Sequence, residues 1–169
     1  VTIKLGDQIT TDHIIPAGSV GRYRSNIEKS SAFVFKNVAP DFAQSCETVK
    51  ARGLSSVIVA GASYGQGSSR EHAAICPMFL GVRAVIAKSI ERIHMANLIN
   101  FGIMPLVFKN PEDYELVQPG DELQINAVHD QLRASELTVV NKTRQKAFGA
   151  CHRLTPRQVE IVLSGGLLN

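Results

Sequence analysis

The 169-residue sequence is poor in cysteine: Cys46, Cys76 and Cys151 are the only three, and they are scattered. There is no CxxC pair. An odd count without redox or metal spacing excludes a self-contained zinc or iron–sulfur site of the all-cysteine kind, and it fits unpaired thiols in a reducing compartment. Long apolar runs are also missing. No stretch approaches the ~20 residues that span a bilayer, and Val1 to Asp7 do not form a signal peptide. The expectation is a cytoplasmic protein with no membrane partner. Charge of one sign is scarce, with 18 Lys and Arg against 15 Asp and Glu and no run of five like charges, so nucleic acid is not an expected partner. Internal repeats and low-complexity linkers are absent. The length suits one domain over residues 1–169, large enough to bury roughly two-thirds of its unfolded surface. Position 1 is Val rather than Met, as expected of a processed chain or a piece of a longer one.

What is present is an α/β pattern. Ser56 to Ala60 (SVIVA) is a β-branched run that leads into the glycine-rich stretch Gly61 to Gly67 and then Ser68, Ser69 and Arg70. A helix is expected to start there, capped by Ser68 or Ser69, with Glu71 near its positive end, Pro77 limiting it and Gly81 ending it. Arg83 to Ala87 reads as a second buried strand, Ser89 to Leu98 as a helix and Met104 to Phe108 as a third strand. This β-α-β-α-β centre calls for a parallel sheet with right-handed crossovers. Asp121 to Asn126 and Glu136 to Val140 alternate like half-exposed antiparallel strands, and Thr155-Pro156 opens a final helix over Arg157 to Ser164. The expected fold is therefore α/β, with a mainly parallel central sheet and antiparallel edge strands.

The segment Gly61 to His72, G-A-S-Y-G-Q-G-S-S-R-E-H, carries the most chemistry. Glycines at 61, 65 and 67 permit positive φ and close approach of backbone to a ligand. A strand feeding a helix through such a loop presents unpaired N–H groups that attract carboxylate or phosphate. Arg70 adds a bidentate fork that matches a carboxylate. A dinucleotide fingerprint would need a third glycine at position 70, and a P-loop would need Gly-Lys-Ser/Thr, so neither applies. Gly61-x-Ser63-x-Gly65 is a literal nucleophile-elbow pattern, with Asp130 and His152 following in the order of a serine hydrolase. A non-catalytic anion-binding module is a third alternative.

Tyr64 to Ala74 resembles a signature of the aconitase family's mobile C-terminal domain, and Gly6 to Ile14 (GDQITTDHI) resembles that domain's other signature. The similarity continues through Gly81 to Ser89 and Arg92-Ile93-His94. It implies a swivelling β/β/α domain that closes over a 4Fe-4S cluster ligated outside this chain, by cluster-bearing domains or a large subunit. It also implies a hydro-lyase acting on hydroxy di- and tricarboxylic acids, inactive without the iron–sulfur part. By this resemblance Ser68 is the base that takes a proton from the substrate carbon, and Ser69 and Arg70 bind a substrate carboxylate. Asp12 matches the aspartate of the first signature. Arg24 matches an arginine used for the distal carboxylate, with Arg22 competing for that assignment. A cation there favours citrate and isocitrate, interconverted through cis-aconitate; the alternatives are the small subunit of isopropylmalate isomerase and homoaconitase.

His72 and His13 are expected to support the site rather than transfer protons, although His72, four residues after Ser68, could be pictured as its base. His94 reads as a surface or packing residue and His129-Asp130 as a turn. Cys151-His152 is at most half a metal site, and Cys76 reads as a buried thiol. Tyr64 either lines the cleft or covers the loop.

Overall fold

The computed structural model describes residues 1–167 except Arg22 and Arg24, and of Ser19 and Val20 the backbone alone. Seven strands form one mixed sheet: β1 (Ile3–Leu5), β2 (Ser56–Ala60), β3 (Val82–Ala87), β4 (Met104–Phe108), β5 (Leu123–Gln124), β6 (Glu136–Asn141) and β7 (Lys146–Cys151). Their order is β1-β2-β3-β4-β7-β6-β5. The first four are mutually parallel, and β7, β6 and β5 add on antiparallel beyond β4. The helices are α1 (Thr11–Ile14), α2 (Ala17–Gly21), α3 (Ile27–Ser31), α4 (Phe42–Ala51), α5 (His72–Phe79), α6 (Arg92–Asn100), α7 (Val128–Arg133) and α8 (Pro156–Leu163), with a 3-10 turn at Pro111–Leu116.

The period-2 alternation of the parallel strands sends successive side chains to two cores. Ile3, Leu5, Ile58, Ala60, Val85 and Ala87 pack with Phe42, Cys46 and the buried face of α5. Val59, Ile86 and Leu106 pack with Leu137, Val139, Phe148, Leu132 and Val159 in the other. The expected parallel centre and antiparallel strands are both present, with the antiparallel strands gathered on one side of the sheet. No helix of the described residues is long and apolar enough to cross a membrane.

Several local expectations are corrected. β1 and β7 carry too little local pattern to stand out and exist through pairing with β2 and β6. The strand expected over 121–126 shrinks to Leu123–Gln124, because Asp121 turns inward to bind Asn141 and Arg144. His129 and Asp130 lie in α7 rather than in a turn. The final helix is as expected: Thr155 and Gln158 form a reciprocal capping box, with Pro156 in the first turn.

Candidate functional site

The site is built where the parallel strands end. Beyond β1, residues 6–11 run alongside the loop that follows β2. Gln8 N–H donates to the Ala62 carbonyl at 2.7 Å, Gly65 N–H to Ile9 at 2.7 Å, and Thr11 N–H to Gln66 at 2.8 Å. Asp7 Oδ1 accepts from Ala62 N–H at 2.7 Å. On the other flank, Tyr64 N–H donates to the Ser89 carbonyl at 3.0 Å, and Glu91 N–H donates back to Tyr64 at 2.9 Å. The loop is therefore a strip gripped on both edges at the carboxyl ends of the strands, where open α/β sheets place their ligands. Two glycines are dictated by these neighbours: a Cβ on Gly61 would overlap Asp7, and one on Gly65, at φ +88°, would overlap the His94 ring.

The helix expected at Ser68 begins four residues later, at His72, and neither serine caps it. Gly67 has φ +104°, so the chain leaves the strip by a turn instead of entering the helix. This leaves Gly67, Ser68 and Ser69 exposed, with the Ser68 carbonyl held by the buried Thr11 hydroxyl at 3.2 Å. Arg70 is anchored. Its Nη1 donates to Asp12 Oδ1 and to the Ile15 carbonyl at 3.2 Å. Asp12 also accepts from Ala17 N–H at 3.2 Å, and its bond from Arg70 holds its carboxyl below the usual aspartate range. An open cleft of about 440 Å³ lies at this point, lined by Ile15, Ala17, Gly21, Ser69, Arg70 and His72, among others.

Of the residues singled out from the sequence, Asp12, Ser68, Ser69, Arg70 and His72 come together here. His13 serves α1: its Nδ1 accepts from Thr10 N–H, and the Thr10 hydroxyl accepts from His13 N–H, both at 3.1 Å. With Ser68 off the helix, the four-residue spacing no longer sets His72 on one helical face with it. Arg24 and its competitor Arg22 lie outside the described residues. Tyr64 is buried beneath the loop rather than lining the cleft, and burial pushes its hydroxyl's pKa up. The serine hydrolase arrangement lacks its histidine: His152 is buried, with Nε2 against the Leu132 carbonyl at 2.8 Å and Nδ1 accepting from Leu154 N–H at 3.1 Å. Sequence reasoning passed over Thr11, Ile15 and Asn97, and read His94 only as a surface or packing residue; it is buried, beside Asn97. The spacing of three between His94 and Asn97, on one helix face, was the available signal.

The aconitase C-terminal domain family matches residues 17–111. The chain belongs to that family. Over its whole length this aconitase C-terminal domain is 34% identical to the mitochondrial aconitate hydratase of Saccharomyces cerevisiae and to a probable mitochondrial aconitate hydratase of Caenorhabditis elegans. It is 32% identical to a probable mitochondrial aconitate hydratase of Dictyostelium discoideum. It spans about a quarter of each relative's length (24%, 24% and 25%). Among solved structures it is similar to a 3-isopropylmalate dehydratase of Methanocaldococcus jannaschii. That match has a TM-score of 0.75 and 29% identity, and covers 98% of this chain and 87% of that one.

The expectation of a cytoplasmic location is overturned, since the three relatives are mitochondrial by name. Unpaired thiols do not separate the two compartments. Proteins of this family use a 4Fe-4S cluster, and the donor set of this domain does not fit one. Cys46 and Cys76 are buried in helices and Cys151 sits on β7. Among the described residues no group of three or more His, Cys, Asp or Glu could hold a metal ion.

Proposed function

We propose that this domain is the swivelling part of a 4Fe-4S hydro-lyase that interconverts citrate and isocitrate through cis-aconitate, with the cluster held by another domain or subunit. The observation that carries this reading is the anchored guanidinium of Arg70 at the mouth of the cleft, next to Ser69 and two residues beyond Ser68. Fixed by Asp12 and the Ile15 carbonyl, Arg70 need not be ordered when substrate arrives, so its fork is pre-organised for a carboxylate.

Ser68 takes the proton from the substrate carbon adjacent to the one bearing the hydroxyl. The C–H electron pair becomes the double bond of cis-aconitate, and the departing hydroxyl would become water by taking a proton from an acid on the cluster-bearing part. In hydration Ser68 returns the proton. A serine hydroxyl serves as a base only where its oxyanion is stabilised, and the Arg70 charge two residues away supplies that field. Ser69 and Arg70 bind a carboxylate, while Asp12, His13 and His72 support the site. Arg24 is assigned to the distal carboxylate on the family resemblance. Departure of the hydroxyl belongs to the cluster-bearing part, so the isolated chain is inactive. The mitochondrial relatives support a mitochondrial location.

The test is made in the complete enzyme, or in this chain reconstituted with its cluster-bearing partner. Ser68→Ala lowers kcat for isocitrate dehydration by about 10²–10⁴-fold with little change in KM. Arg70→Lys loses the bidentate fork and raises KM about tenfold or more. Near-normal turnover by Ser68→Ala overturns the assignment. The similarity to a 3-isopropylmalate dehydratase supports a second reading, an isopropylmalate-type substrate. Comparing kcat/KM for isocitrate and 3-isopropylmalate, with and without Arg24→Leu, separates the two.

A further inference from the structure

A group of buried polar atoms lies behind the serine–arginine loop and has no part in the reading above. His94 and Asn97 project from one face of α6 and are 1% and 9% exposed. His94 Nδ1, His94 Nε2 and Asn97 Nδ2 have no hydrogen-bond partner among the described residues. The imidazole lies against Gly65 so closely that no side chain fits there, and meets the Tyr64 ring edge-on at 5.2 Å. With Thr11, Gly67, Ser68 and Arg70, these two residues line a narrow recess directly beneath the loop.

Native interiors leave few buried polar atoms unsatisfied. Three of them side by side beneath the loop lack partners in this arrangement of the described residues. The chemistry of the recess suits hydrogen bonding to the loop. Burial pushes the His94 pKa down to about 4, so at neutral pH the ring offers one donor and one acceptor and no charge to oppose Arg70. The Asn97 amide adds two donors. The loop above is held at its edges by residues 8–11 and 89–91, while its tip, Gly67 to Ser69, is exposed.

We propose that His94 and Asn97 are positioning residues for Ser68: they hydrogen-bond the Gly67–Ser69 tip from beneath when substrate engages Arg70, and so fix Ser68 for proton transfer. The inference rests on Ser68 being the base. In the complete enzyme, His94→Leu and Asn97→Leu remove these contacts, and His94→Gln keeps a donor and an acceptor. The two Leu variants lose about ten- to hundredfold in kcat, the scale of a displacement of about 1 Å. KM stays near wild type. So does affinity for propane-1,2,3-tricarboxylate, which has the carboxylates of citrate but no hydroxyl to lose. His94→Gln recovers part of the kcat. Ser68→Ala is measured alongside. Near-normal turnover there removes the base that this pair positions; an inactive Ser68→Ala beside fully active Leu variants overturns the positioning alone. A kcat loss matched by an equal loss of tricarboxylate affinity, and not recovered by Gln, also overturns it, because a collapsed fold produces that pattern.

Discussion

The charge states of single residues decide how the site behaves with pH. His94 illustrates this through stability. Its folded pKa is about 4 against an ordinary 6.5, because the buried ring resists charging. Above pH 6.5 neither the folded nor the unfolded chain protonates it, and its neutral burial is fully tolerated. As pH falls from 6.5 to 4, the unfolded chain takes up a proton that the folded chain refuses, so stability declines by up to about 3 kcal/mol. Urea midpoints measured across that window will fall more steeply for the wild type than for His94→Gln. Equal slopes would show that another group carries the acid sensitivity. Asp12 behaves oppositely in cause, since its carboxyl is lowered by the Arg70 hydrogen bond rather than by burial. The same bond favours the ionised carboxylate that anchors Arg70.

Turns and helix ends set where those residues can reach. The strip between β2 and α5 depends on backbone conformations that side chains do not favour: Ser63 at φ +57°, Gly65 at +88° and Gly67 at +104°. At Gly65 a side chain meets both this strain and the His94 ring. Gly53, at φ +71° after α4, faces open space. Gly65→Ala is therefore expected to destabilise the protein by about 2–4 kcal/mol, from backbone strain together with overpacking, and Gly53→Ala by about 1 kcal/mol from backbone alone. Chemical denaturation of the two variants checks this, and equal losses would remove His94 as the loop's backing. The same strip shows where local reading stopped. Ser-Ser-Arg-Glu has the residue types of a helix N-terminus, yet the helix starts at His72, because bonds to neighbouring segments hold the preceding chain in a turn. By contrast, the capping box at Thr155 involves only near neighbours in sequence and was legible.

At the scale of the molecule, the antiparallel strands β5 to β7 are tied to the rest around one buried carboxylate. Asp121 Oδ2 accepts from Asn141 Nδ2 at 2.7 Å, Arg144 Nε at 2.7 Å and Gln118 N–H at 2.8 Å. Asn141 is itself fully buried and also donates to the Leu116 carbonyl at 3.2 Å. Asp121→Ala leaves these donors facing a cavity and should cost about 3 kcal/mol, read as a lower denaturation midpoint. Hydrogen exchange should speed up first in β5 and β6. Unaltered exchange in those two strands would show that the joint is held elsewhere.

The sequence by itself determined the β-α-β-α-β centre, the glycine-rich loop and the residue types of the two signatures, since strand periodicity and turn chemistry are written in neighbouring residues. Tertiary structure decided what those types do together. Asp12 meets Arg70 across 58 positions, and Asp7 meets Ala62 across 55, because β1 pairs parallel to β2 in a register that no local pattern encodes. The same packing buried His94 under Gly65, turning a histidine that read as a surface or packing residue into the floor of the site.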